Sequence, residues 1–234
     1  MSSSSSKRHS ILPPVAQAGP KAPVRFSSSL VIADSAILTG AHTIQLRTES
    51  LVHPRAKIES LAGPVDIGKR CVVHERTVVG ALPTGGPKTG SNGVAVTLMD
   101  YCTVEVGSTV EAGGTIIGEG TIVGVGSRIG SGAVVGKVGS RPPPPMLRLP
   151  PGILPFASNT PWTSMADKDD PQYCTLSPRT TIGPGETVPD YTVVFSNGLH
   201  RRDRRDVADI RTRAQARQLE ILRKLIPSNP AKFQ

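Results

Sequence analysis

From residue 115 to 136 the chain reads TIIGEGTIVGVGSRIGSGAVVG, and Ile117, Val123, Ile129 and Val135 fall six positions apart with a glycine after each. A helix repeats its buried face every 3.6 residues and a strand every two, so a period of six describes a larger unit that turns a corner each time. The same spacing marks inward positions at Ile32, Leu38 and Ile44, at Val52 and Ile58, and at Ile67, Val73 and Val79. A second half follows with Leu98, Val104 and Val110, the four residues already named, and then Ile182, Val188 and Val194. Four places after many of these stands a small residue, such as Ala56, Cys71, Thr77, Cys102, Ser108 or Ala133.

Each six residues therefore predict one short flat strand and a corner, and three strands close one triangular turn of a parallel β-helix. Counting strands gives roughly six turns and, at the inter-strand spacing, a prism about 29 Å tall. The register slips by two residues near Ser50, by three near Pro64 and by one near Ile116. Residues 81–97 and 137–172 carry prolines that cannot join a ladder, so both are expected to leave the prism as loops. The second loop holds Trp162, the single tryptophan.

Past Val194 the period changes. HRRDRRDVADIRTRAQARQLEILRKLIP lacks glycine and spaces Val207, Ile210, Ala214, Ile221 and Leu225 as one face of a helix that ends before Pro227. The simplest expectation lays these five residues against the prism and turns the arginines outward. The chain thus divides into a Ser/Pro-rich tail at 1–29, a hexapeptide domain at 30–199, and a closing helix and tail at 200–234.

Composition narrows what this prism can do. Aromatics are 3% of the chain, while there are 24 glycines and 22 prolines, so small and β-branched residues must fill the core. The net charge of +9 resides in the ends: the first 29 residues hold Lys7, Arg8, Lys21 and Arg25 without an acid, and residues 201–224 hold nine basic residues. Asp203, Asp206, Asp209 and Glu220 interrupt the latter, which predicts a solvated salt-bridged face and no nucleic-acid partner. The acid-free start matches a transit peptide in composition, but Pro13, Pro14, Pro20 and Pro23 would break a targeting helix. No apolar run reaches the length of a membrane span, so no direct membrane insertion is expected. Cys71, Cys102 and Cys174 form no CxxC pair and stand at small-residue positions, as core fillers do. Together these features predict a reduced, cytoplasmic setting.

Prisms of this kind often carry enzymes, which directs attention to the histidines. His53 and His74 each follow an inward residue and stand one turn apart, with Glu105 in the same column. Two imidazoles and a carboxylate could bind zinc, but His42 sits elsewhere in its hexapeptide and His9 and His200 lie outside the prism. A γ-carbonic-anhydrase-like zinc site also needs a pair of histidines five apart, which this chain lacks. A hexapeptide acyltransferase needs a histidine base beside a groove for an acyl carrier, and any of the five histidines could be nominated. The residues by themselves assign no cofactor, metal or catalytic group.

The segment from Leu30 to Ala81, above all LVHPRAKIESLAGPVDIG at 51–68, resembles the dynactin subunit 6 family, the smaller left-handed β-helix subunits of dynactin's pointed-end complex. TVPDYTVVFSNGLHRR at 187–202, followed by a helix ending ILRKLIP, is similar to that family's last coil and terminal helix. The resemblance implies left-handed winding, which the spacing does not decide. It also implies a non-catalytic adaptor in dynein-driven microtubule transport, associated with the cytoskeleton. The implied partners are dynactin subunit 5 and an actin-related protein, with dynein and cargo adaptors reached indirectly. Docking is then expected at the open rungs of the prism, around Leu30, Ile32, Leu38, Ile44, Val188 and Val194.

Overall fold

In the computed structural model, residues 20–84, 96–136, 173–203 and 208–233 are described. They form a left-handed parallel β-helix of hexapeptide repeats with one C-terminal helix along it. The first face stacks seven strands, from Val24–Phe26 through Ile44–Leu46 and Val65–Ile67 up to Val134–Val135 and Thr187–Val188. The second begins at Val31–Ile32 and Leu51–Val52 and ends at Thr192–Val194, while the third runs from Ile37–Gly40 to Thr181–Ile182. Every rung pairs in parallel with the next, as in Val73 opposite Val104 and Val104 opposite Val123.

The aliphatic at each sixth position points into the prism. Ile32, Val52, Ile58, Ile117, Val123, Ile129, Val135, Val188 and Val194 are all fully buried in one continuous core. The first strand, Val24–Phe26, lies within the segment expected to be tail, and Leu176 is a further inward residue. The slip expected near Ser50 falls earlier. Leu46 aligns with Ile67 and Leu98, so the extra residues lie between Leu38 and Leu46. The spacings Leu38–Leu46, Ile58–Ile67, Val79–Leu98 and Val110–Ile117 all widen at the same corner, between the third and first faces. The 137–172 insertion falls at the next corner, between Val134–Val135 on the first face and Thr175–Leu176 on the second, so only the corner between the second and third faces carries none. Of the loop expected at 81–97, Ala81 closes the strand Val78–Ala81 and Val96 opens the strand Val96–Leu98, while residues 85–95, like the whole of 137–172, lie outside the described residues.

The tight corners demand left-handed backbone, and Ser29, Glu49, Arg70, Tyr101 and Tyr191 adopt positive φ in one column before the second face. Side chains at such positions are costly, so stacking must hold them. Arg70 pairs with Glu49 and lies 5.7 Å from the centre of the Tyr101 ring. Gly80 shows the steric limit, since a Cβ there would sit 2.0 Å from the Glu59 carbonyl oxygen at φ +87.

After the last rung, His200–Arg202 turns back antiparallel on Thr192–Val194 and covers that edge. Helix α1, Ala208–Leu225, then descends the second face. Its packing reverses the expectation from spacing. Leu219 and Ile226 are buried against Val31, Ala33, Leu51 and Val72, with Leu222 beside them, whereas Ile210, Ile221 and Leu225 are 68%, 52% and 69% exposed. Ala214 is also exposed, and Val207 lies outside the described residues. The polar contacts give the reason. Gln215 Nε2 donates to the Tyr101 carbonyl at 2.9 Å, and the Thr212 hydroxyl bonds the Tyr173 hydroxyl, so the helix turns these polar side chains toward the prism.

The chain then reaches the opposite end of the prism. The Ile32 amide donates to Ser228 Oγ at 3.0 Å, and the Asn229 amide donates to the Ile32 carbonyl at 3.0 Å. The 3₁₀ turn Pro230–Phe233 brings the Phe233 ring into the core beside Ala22 and Val24. The C-terminus plugs the N-terminal rung.

Candidate functional site

Strand stacking dictates where the histidines meet. The residue after each inward position on the second face donates its amide to the next rung: His53 to Val73, His74 to Val104 and Glu105 to Val123, each at 2.9 Å. His53, His74 and Glu105 therefore stand in one column, as their spacing predicts. The two imidazoles stack with centroids 4.5 Å apart and planes 25° from parallel. His74 Nε2 lies 3.9 Å from Glu105 Oε2 and 3.5 Å from the side-chain amide of Gln218 on α1. His53 Nε2 is buried without a hydrogen-bond partner.

This environment keeps both rings neutral. Burial lowers the His53 pKa to about 4, with the neighbouring His74 adding to the effect and Glu75 opposing it. Burial likewise lowers His74 from its ordinary 6.5 and raises Glu105 from 4.5. A neutral imidazole accepts a proton, and a carboxylate nearby favours the imidazolium that results.

The same geometry does not suit zinc. Imidazole lone pairs lie in the ring plane, so near-parallel rings stacked face to face cannot both direct a nitrogen to one ion at about 2.1 Å. Among the described residues no group of three His, Cys, Asp or Glu side chains is arranged to hold a metal ion. His42 Nδ1 is engaged with the Ser60 carbonyl at 2.9 Å, and His200 lies 3.5 Å from Glu186 near the other end. His9 lies outside the described residues.

A second constellation escaped the sequence. Glu111, at the end of a third-face strand, is only 3% exposed, yet it is a carboxylate. It accepts from Thr84 Oγ1 at 2.6 Å, from Arg128 Nε at 3.0 Å and Nη2 at 2.6 Å, and from the Ser131 amide at 3.3 Å. Burial pushes its carboxyl upward, but these donors outweigh that and leave it below 4.5. The group borders a cavity of about 320 Å³ lined by Pro83, Thr84, Arg128, Ser131 and Pro184. The one available signal was an acid standing directly after the inward Val110.

The residues expected to dock a partner are interior. Ile32, Ile44, Val188 and Val194 are completely enclosed, and Leu30 and Leu38 are 8% exposed. At one end the antiparallel strand His200–Arg202 covers the last strand of the second face, while Thr181–Ile182 and Thr187–Val188 end their own sheets; at the other end the C-terminal plug covers the first rung. The cysteines are free and buried, donating to the carbonyls of Met99, Gly118 and Pro189. Burial pushes the Cys174 thiol up to about 11, which suits a filler and not a nucleophile.

No family model and no curated protein matches the sequence. Solved structures do. A candidate acetyltransferase from Bacillus cereus superposes with a TM-score of 0.62 at 17% identity, covering 89% of this chain and 97% of its own. A hexapeptide transferase family protein from Anaplasma phagocytophilum gives 0.58 at 12% identity, covering 87% and 95%. At these identities the likeness establishes the fold, down to its left-handed winding. It also corrects the expectation of a non-catalytic dynactin subunit. Chains sharing this whole architecture are described as transferases, and nothing matched connects the sequence to dynactin, dynein or the cytoskeleton. No described helix is long and apolar enough to cross a membrane.

Proposed function

We propose that this chain is an acyltransferase of the hexapeptide-repeat type, moving an acyl group from a thioester carrier to an amine or hydroxyl. The observation that carries this reading is His74, an imidazole held neutral by burial and set 3.9 Å from Glu105. In the proposed step the acceptor attacks the thioester carbonyl carbon and gives its proton to His74. The thiolate departs as the new amide or ester forms, and the imidazolium returns the proton to it. Glu105 stabilises the transient positive charge, and the stacked His53 holds the ring in place. The description of the Bacillus neighbour makes acetyl the first group to test.

The experiment follows thiol release from acetyl-coenzyme A in the presence of amine and hydroxyl acceptors. His74→Gln is expected to lower the rate by roughly 10² to 10⁴, the usual contribution of a general base. Glu105→Gln should lower it less. The wild-type rate should hold at neutral pH and fall only below the ordinary imidazole pKa, because burial depresses this one. Wild-type protein that releases no thiol, or a His74→Gln variant as fast as wild type, overturns the proposal.

A further inference from the structure

Helix α1 has a second apolar row that the prism does not use. Ile210, Ala214, Ile221 and Leu225 all face outward, and the three large ones are among the most exposed aliphatics of the described chain. At 3.6 residues per turn the row covers roughly 60° of arc, narrower than the apolar face of a surface helix and close to a coiled-coil seam. One flank carries Arg213, Arg217 and Lys224, all exposed, and the exposed Arg201 and Arg202 precede the helix. Of the exposed acids on α1, Glu220 is held by Lys224 at 3.2 Å, and Asp209 stands in the first turn.

We infer that this face is a docking surface for an amphipathic helix of another protein, whose own apolar row is bordered by carboxylates. Charge selects that occupant. A second copy laid antiparallel across a two-fold axis sets each basic row against its mate, and like charges facing one another disfavour the pairing. A bilayer is the weaker match, because a row of three large aliphatics is too narrow to bury much area at the acyl boundary, even though the basic flank would attract anionic headgroups. An acidic helix buries the aliphatics and neutralises Arg213, Arg217 and Lys224 in the same contact, as e and g positions do in paired helices. The surface stands apart from the His74 column, since α1 meets that column through Gln218 on its inward side.

The test uses the full chain and a synthetic helical probe of three heptads with leucine at a and d and glutamate at e and g, titrated by calorimetry. One-to-one binding is expected, at least about tenfold tighter than to the same probe with lysine in place of glutamate. Ile221→Asp with Leu225→Asp should abolish it without changing the unfolding midpoint, because both side chains are exposed. Arg213→Glu, Arg217→Glu and Lys224→Glu together should exchange the preference toward the lysine probe. Equal binding of the two probes, or no effect of the aspartates, overturns the inference. So does a concentration-dependent dimer lost on the same substitutions, or binding to phosphatidylserine vesicles without binding to the probe. Probe binding that appears only after residues 137–172 are removed overturns it as well, since the chain would then be covering its own helix.

Discussion

Phe233→Ala probes how an end of the prism is closed. The ring is 9% exposed and belongs to the main core cluster, although it lies nearly the whole chain away from the rung it covers. Truncating a buried phenylalanine costs about 3–5 kcal/mol in a closed core. This site lies at an end, where residues 20–24 can settle into part of the space, so about 2 kcal/mol is the reasonable figure. A repeat prism holds each turn mainly through its neighbours, so the loss should appear as fraying of the nearest turn. The amides of Val31, Ala33 and Ile37 donate to Ser50, Val52 and Ala56 on the second turn and report that opening directly. Hydrogen exchange at these three should quicken about 30-fold, the equivalent of 2 kcal/mol. The amides of Ser177 and Val134, which donate to Val194 and Glu186 near the other end, should be unchanged. Equal quickening at both ends, or none at the first turn, would refute the reasoning that the C-terminus seals the N-terminal rung.

Three further outcomes are expected. Between pH 6.5 and about 4 the unfolded chain binds a proton at His53 that the folded chain refuses, so stability should decline as pH falls through that window. The shift corresponds to at most about 3 kcal/mol, reduced to about 1–2 because the ring is only half-buried; urea midpoints of wild type and His53→Asn at pH 7 and 4.5 check it, and equal pH dependence of the two counts against it. Arg128→Met leaves the Glu111 carboxylate buried with fewer donors, and the protein should lose about 1–3 kcal/mol at pH 7, less at pH 4, where the carboxyl can take up a proton. Gly80→Ala should cost about 2 kcal/mol or more, since the new methyl meets the Glu59 carbonyl and the backbone is left-handed; a thermal scan that leaves the midpoint unmoved would show that the corner relaxes.

The sixfold run of aliphatics determined the parallel β-helix by itself, though not the hand in which it winds. A side chain at every sixth position has one way to be buried in a narrow column, so Ile117, Val123, Ile129 and Val135 could be placed before any coordinates. The stacking of His53 on His74 was equally legible, because a period of one turn is a statement about neighbours. Other features depended on contacts between distant parts of the chain. Helix α1 carries two apolar rows, and its sequence does not say which one docks; the corner carbonyl of Tyr101, bonded by Gln215, turned Leu219 inward and left Ile221 outside. The Glu111 site brings together three separate segments: Glu111 itself, Thr84, and the corner that carries Arg128 and Ser131. The closed end needed Phe233 to meet Ala22, a pairing that no local spacing encodes. Periodicity reports what each residue does toward its own rung, while docking between elements is decided by whichever surfaces the finished rungs leave open.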